Sequence, residues 1–303
     1  MELPEQIVIS GTAFTKIKKR FYMNVSVYGS SDQMVFMRLG DPIHIEREYS
    51  HHKTLEKYGY PVANILEKGE WRGFVYYIEE SQGDELLSFV LHKDKTAYGQ
   101  LSTETFERFS DLVIAYVEGQ VQTKNTHEHS FELLDETCKD MSTEMPSLKE
   151  KIQLAKEKYI QHFCEQPFVF SHGDFNTHNL FWKGVIDVEG FSWMPFGYDV
   201  MTMLFNGLFF PAAEKFEMRR LFTFSLEERS RIVSMVDAIA TNHGLPLWKE
   251  YVDHNLMLRT LWAAKGMDHT PVLQQWRFLL SEKVLDAYLA GESVVGVVDE
   301  YTA

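Results

Sequence analysis

The sequence predicts an α+β fold: a small antiparallel β-sheet lobe with one inserted helix, then a larger, mainly helical lobe. Three observations predict it. Short runs rich in β-branched and aromatic residues, separated by turn residues, fill the N-terminal part. From residue 106 onward apolar residues recur at three- and four-residue steps. Between helical stretches lies a Gly- and Asp-rich patch, residues 168–199, that reads as short strands and loops.

Taken in order, residues 6–10, 21–28 and 33–39 read as strands, punctuated by Gly11 and by Gly29, Ser30, Ser31 and Asp32. The last cluster fits a turn between antiparallel strands. Residues 46–58 carry no Gly or Pro and read as a helix closed by Gly59 and Pro61. Strands around 63–67 and 73–79 complete the first lobe, which ends near Ser81, Gln82 and Gly83. The expected division is residues 1–82 as a nucleotide-binding lobe and 83–303 as a helical lobe. In the second lobe Phe106, Phe109, Leu112, Val113, Tyr116 and Val117 form the stripe of a buried helix face. Residues 148–163 are a second helix, and the chain beyond 224 is helical apart from a break at Asn242, His243 and Gly244.

With 45% hydrophobic and 24% charged residues over 303 positions, the composition is that of a globular chain and excludes disorder throughout. A formal net charge of −14 disfavours phosphate backbones, so no nucleic-acid partner is expected. Cys138 and Cys164 show no metal or CxxC spacing, which fits a reducing compartment. Residues 1–5 lack the regions of a signal peptide, and the richest apolar stretch, 200–213, is interrupted by Asn206 and Pro211. The expectation is a soluble cytoplasmic protein with no membrane partner.

The chemistry is concentrated in residues 170–189. Asp174 and Asn179 are five apart, with His172 two before the Asp. This is the catalytic-loop spacing of kinase-fold enzymes, in which an Asp meets the substrate hydroxyl and an Asn holds Mg²⁺. Residues 180–182 and 185–187 are apolar runs ending in Asp187, and Lys183-Gly184 between them reads as a two-residue hairpin turn. If 182 pairs with 185, then 179 pairs with 188. Asn179 and Asp187 then lie diagonally adjacent and share an ion. An amide oxygen with a carboxylate, completed by water and phosphate oxygens, suits Mg²⁺.

His172, Gly173, Asp174 and Asn179, then Val185, Ile186, Asp187 and Glu189, then Gly197, Tyr198 and Asp199 resemble the core of the aminoglycoside phosphotransferase and choline-kinase-like family. The resemblance implies a protein-kinase-like fold and the cofactors ATP and Mg²⁺. It makes Asp174 the catalytic base, Asn179 and Asp187 the metal ligands, and Asp199 a buried brace of the catalytic loop. In the small lobe, Met37, Arg38 and Leu39 resemble the strand carrying the phosphate-binding cation, and Arg47, Glu48 and Tyr49 the helix whose Glu pairs with it. The stretch from Tyr77 to Gly83, including Glu79, resembles the connector against which adenine lies, and Gly11 falls in the expected nucleotide loop. The chain departs from the family pattern in three places: Arg38 where protein kinases use Lys, a single Gly in the nucleotide loop, and a shorter hairpin after Asn179.

The other side chains carry blander expectations. His172 reads as a structural residue packed under the loop, and His51 and His52 as solvated or capping side chains. Glu189 fits a metal, the substrate or plain exposure equally. A metal-hydrolase reading of His172, Asp174 and His178 lacks a second cluster to complete it. A protein kinase is disfavoured by the absence of an Ala-Pro-Glu element. The expected activity is ATP-dependent phosphorylation of a hydroxyl on a small substrate, cationic, aminoglycoside-like or amino-alcohol-like. The alternative is a nucleotide-binding pseudokinase scaffold. An acceptor pocket is expected between about 86 and 163 and after 205.

Overall fold

The computed structural model describes residues 3–20, 24–125, 129–213, 216–217, 220–265 and 270–302. Its N-terminal part is a six-stranded antiparallel sheet in the order β1-β2-β3-β4-β6-β5, with β1 Gln6–Ile9, β2 Thr12–Arg20, β3 Val25–Ser30, β4 Val35–Gly40, β5 Ile65–Trp71 and β6 Phe74–Glu80. Strand β2 runs through 12–15, which the sequence reading assigns to a loop and where Phe14 is buried, and continues through a Lys-rich stretch, 16–20, in which no described side chain is buried. Part of the strand expected over 21–28 falls on 21–23, outside the described residues.

Alternation along the strands divides the sheet into two faces. Met37, Leu39, Tyr76 and Ile78 pack with Ile7, Phe14 and Tyr28 on one face. Arg38 lies opposite Tyr77 in the β4–β6 ladder and shares the other face with Val75, Tyr77 and Glu79. Helix α1, Pro42–Lys57, covers that second face. Its buried stripe is Ile45, Glu48, His52 and Leu55, so two polar side chains stand where a core helix normally carries apolar ones.

Chain leaves β6 through Ser81, Gln82 and Gly83 and becomes helical: α2 Leu87–Tyr98, α3 Thr103–Gln122, α4 Glu132–Glu144 and α5 Lys149–Phe163. The predicted α3 stripe is buried throughout. Next come β7 Phe168–Ser171, a short hairpin of β8 Leu180–Phe181 and β9 Gly184–Val185, and β10 Ser192–Pro195, which pairs antiparallel with β7. Helices α6 Tyr198–Phe205, α7 Leu226–His243, α8 Trp248–Ala264, α9 Pro271–Ala290 and α10 Val294–Thr302 complete the core. The expected break at 242–244 is the end of α7, where Gly244 takes the left-handed conformation. No helix among the described residues is long and apolar enough to cross a membrane.

The hairpin register differs from the expected one by two residues. Leu180 pairs with Val185 and Phe181 with Gly184, so the turn is Trp182-Lys183. Close approach explains the shift. Gly184 has φ +155° and lies so near Pro61 that a Cβ on it would stand 2.2 Å from the Pro61 carbonyl oxygen. Glycine is needed here to dock the hairpin, not to turn it. Val185 N donates to Pro61 O at 2.9 Å and Lys183 N to Gln82 O at 3.1 Å, which ties the hairpin to the small sheet's connections.

Candidate active site

Asp199, fully buried near the start of α6, organises the loop that runs from His172 to Asn179. Its Oδ2 accepts from Tyr116 Oη (2.6 Å), Gln120 Nε2 (3.0 Å) and His172 N (2.8 Å), and its Oδ1 from Gly173 N (2.9 Å). Burial pushes its carboxyl above the ordinary value, with the nearby His172 ring, the Tyr116 hydroxyl and the backbone amides of His172 and Gly173 pulling the other way. Two consecutive backbone amides fixed by one carboxylate set the entry to the loop.

His172 is used at both ring nitrogens. Nε2 donates to Ile186 O at 2.8 Å, and Nδ1 accepts from Asp174 N at 3.2 Å. It therefore braces the loop against the hairpin, as the structural reading expects. With both nitrogens taken, it is not available as a metal ligand.

Asp174 is the exposed end of this buried network, with its side chain 46% accessible. Its Oδ1 accepts from Arg259 at 2.6 Å, and its Oδ2 from Asn179 Nδ2 at 3.2 Å. Arg259, from α8, is a residue the sequence reading missed. It is 2% exposed, also donates to Gly173 O and Asn206 Oδ1, and lies 4.0 Å from the Trp262 ring centroid. Its distance along the chain from Asp174 left no spacing signal. A buried Arg in an apolar helix stripe was the one available hint.

Asn179 spends its amide nitrogen on Asp174 Oδ2 and the Asp174 carbonyl, which leaves its amide oxygen as the atom that can accept or ligate. Ile186 N donates to Asn179 O at 3.0 Å, so Asn179 faces Ile186 and not Val188. Asp187, the next residue, leaves the ladder at φ +65° and opens a 3₁₀ turn, Val188–Gly190. Asn179 and Asp187 thus flank the open end of the hairpin by a different register from the expected one. An amide oxygen and a carboxylate are the donor types that suit a hard cation completed by phosphate and water. No group of three His, Cys, Asp or Glu able to hold a metal occurs among the described residues.

Arg38, Glu48 and Glu79 come together on the small lobe. Arg38 Nη1 is 2.6 Å from Glu48 Oε1, and Arg38 Nε is 3.0 Å from Glu79 Oε1, all three being buried. The Arg38–Glu48 pair stands as expected in strand and helix order. Glu79, expected in the connector, also holds the guanidinium with its side chain. His51 and His52, expected to be solvated or capping, are tied to backbone carbonyls. His52 Nε2 donates to Ala63 O at 2.6 Å and His51 Nδ1 to Val188 O at 3.1 Å. Burial lowers the pKa of His51, favouring the neutral ring that this bond uses.

Gly11 lies elsewhere. It follows Ser10 in the β1–β2 turn, with both residues at positive φ as a two-residue hairpin requires, and a Cβ on it would meet open space. Arg38 aligns through Val27 with Lys18 of β2, seven residues from Gly11 and about 23 Å along the strand. Gly11 is therefore out of reach of a phosphate held by Arg38. The turn on Arg38's side of the sheet is the β2–β3 connection, of which 21–23 lie outside the described residues.

Residues 101–231 match the model of the phosphotransferase enzyme family, a span running from the start of α3 past the catalytic loop into α7. No curated protein is a significant match in sequence. Among solved structures, the ethanolamine kinase Pv091845 of Plasmodium vivax aligns with 16% identity and a TM-score of 0.53, over 91% of this chain and 84% of that one. The aminoglycoside phosphotransferase APH(3'')-Id of Streptomyces rimosus aligns with 13% identity and a TM-score of 0.51, over 82% and 92%. Its complex with ADP and streptomycin aligns at 14% and 0.51, over 80% and 91%. At such identities the likeness is one of fold. The central part of the chain, residues 101–231, thus resembles the phosphotransferase enzyme family, and the fold is the kinase-like one found in an aminoglycoside phosphotransferase and an ethanolamine kinase.

Proposed function

We propose that the chain transfers the γ-phosphoryl group of Mg-ATP to a hydroxyl of a small acceptor in the cytoplasm. Residues 1–82 would hold the nucleotide and residues 83–303 the catalytic loop and acceptor. One observation carries the reading: Asp174 is an accessible carboxylate fixed on both oxygens, between Arg259 and Asn179, at the end of a fully buried brace. Phosphoryl transfer asks the protein mainly for positioning and charge neutralisation, and this arrangement supplies both.

Asp174 orients the acceptor hydroxyl and takes its proton. The acceptor oxygen bonds to the γ-phosphorus while the β,γ-bridging oxygen leaves with its electron pair on ADP. Asn179 and Asp187 would hold Mg²⁺, which neutralises phosphate charge when bound. Arg38, braced by Glu48 and Glu79, presents a fixed cation from the small lobe. The complex of the Streptomyces rimosus phosphotransferase with ADP and streptomycin supports a nucleotide and a small acceptor as the two ligands.

The test is nucleotide consumption with Mg²⁺ over a panel of amino alcohols, amino sugars and aminoglycosides, in the parent and in Asp174→Asn. A loss of roughly 100-fold or more is expected in the variant. Equal turnover would remove Asp174 as the base. Thermal stabilisation by Mg-ATP with no turnover on any acceptor would favour a nucleotide-binding scaffold.

A further inference from the structure

The charged lining of one cavity narrows the acceptor class, an inference that rests on the phosphotransferase reading above. The cavity, about 360 Å³, opens between the N-terminal end of α4, strand β10 and α8. It adjoins the catalytic loop. Gly190 and Met194 line it, and both stand within 4 Å of where a Cβ on Gly173 would be, one residue before Asp174. Leu258, on the α8 wall, precedes Arg259, the partner of Asp174.

Three exposed charged residues line this cavity: Arg47 of α1 and Glu132 and Glu136 of α4. None of them forms an ion pair or a side-chain hydrogen bond among the described residues, whereas Asp135 on the same helix pairs with Lys156 at 2.8 Å. Glu132 and Glu136 are four residues apart in α4 and so share one helix face, where two like charges repel. An ammonium placed between them relieves that repulsion. The Arg47 guanidinium matches a carboxylate in charge and fork geometry. A doubly charged phosphate suits the site less, because it would sit beside two glutamates. Trp193 adds an apolar face for a short carbon chain. The volume lies at the low end of the range for ligand pockets, which fits a small metabolite better than a polycation of several rings.

We propose that this cavity takes the acceptor as a zwitterion, a hydroxyl-bearing amino acid. Its ammonium lies between Glu132 and Glu136, its carboxylate on Arg47 and its hydroxyl toward Asp174. Because Arg47 belongs to the small-lobe helix, the acceptor also bridges the two parts of the site.

The experiment uses the full chain. Calorimetric titration and nucleotide consumption are measured with serine, homoserine and 5-hydroxylysine, then with 3-aminopropan-1-ol, 4-hydroxybutyrate and kanamycin. At least one amino acid is expected to bind, and to be phosphorylated, about tenfold or more better than the compounds lacking its carboxylate or its ammonium. Arg47→Gln should erase the preference over 3-aminopropan-1-ol, and Arg47→Lys should keep part of it. Glu132→Gln combined with Glu136→Gln should erase the preference over 4-hydroxybutyrate. All three positions are exposed, so the variants are expected to fold. Binding of kanamycin or 3-aminopropan-1-ol as tight as that of every amino acid would overturn the proposal, as would an unchanged preference in Arg47→Gln. Amino-acid binding with the expected variant pattern but no nucleotide consumed would uphold the pocket and remove the phosphotransferase reading. Consumption on kanamycin alone would do the reverse.

Discussion

Replacing Gly184 by Ala tests whether docking of the β8–β9 hairpin positions Asn179 and Asp187, the proposed metal ligands. The new Cβ would stand 2.2 Å from Pro61 O, 2.7 Å from Pro61 C and 2.8 Å from Gln82 Oε1. Backbone atoms cannot yield as a side-chain tip can, so hairpin and connection must separate. That separation breaks two hydrogen bonds, Val185 N to Pro61 O and Lys183 N to Gln82 O. At about 0.5–1.5 kcal/mol each, their loss costs about 1–3 kcal/mol, before any cost of holding Ala at positive φ. The hairpin connects Asn179 to Asp187, so the same displacement should weaken Mg-ATP binding by roughly tenfold or more. Urea unfolding reads the first effect and calorimetric titration with Mg-ATP the second. A variant with the parent's midpoint and the parent's nucleotide affinity would show that the contact does not position the site.

Three further outcomes follow from other contacts. Tyr116→Phe removes a donor to a buried carboxylate and should cost about 1.5–3 kcal/mol near pH 7. Because the Asp199 carboxyl is raised, its charged form burdens the folded state increasingly as pH climbs from the unfolded value near 3.9 through the folded one; the variant should therefore cost less near pH 4, and equal costs in urea titrations at both pH values would refute this account. His254 is stacked on His162 with ring centroids 3.8 Å apart, and burial lowers its pKa to about 3; the unfolded chain binds the proton first, so the parent should lose about 2 kcal/mol between pH 7 and 5, and His254→Gln should flatten that slope in urea titrations. Arg259→Met should lower kcat by roughly 100-fold through misplacement of Asp174 while the KM for ATP stays within about threefold, and an unchanged kcat in a steady-state assay would remove Arg259 as a positioning residue.

The features legible in the sequence were those carried by local spacing. The α3 stripe, the break at Gly244, the short strands around Arg38 and the loop from His172 to Asn179 depend on residues near one another in the chain. Strand β2 escaped because Lys16, Lys18 and Lys19 mask its alternation, one face being largely exposed. The hairpin register failed because Gly184 was read as a turn residue, although a neighbour 123 positions earlier, Pro61, is what requires it. Arg259 and the second role of Glu79 were hidden for the same reason. Each acts through a partner that only the folded chain brings near, and a buried charge has no periodicity to announce it.

The bond from His51 to Val188 has a consequence for control. Glu48, which holds Arg38, lies one helical turn before His51, and Val188 directly follows Asp187. The Arg38 clamp on one side and the turn that carries Asp187 on the other are thereby stapled into one unit. Many switchable enzymes keep two such parts loosely connected, so that a modification or partner can bring them into line. Here the alignment is built in, and an enzyme of this design would be ready whenever its ligands arrive. Its output would then follow how much of it is made, not whether it has been turned on.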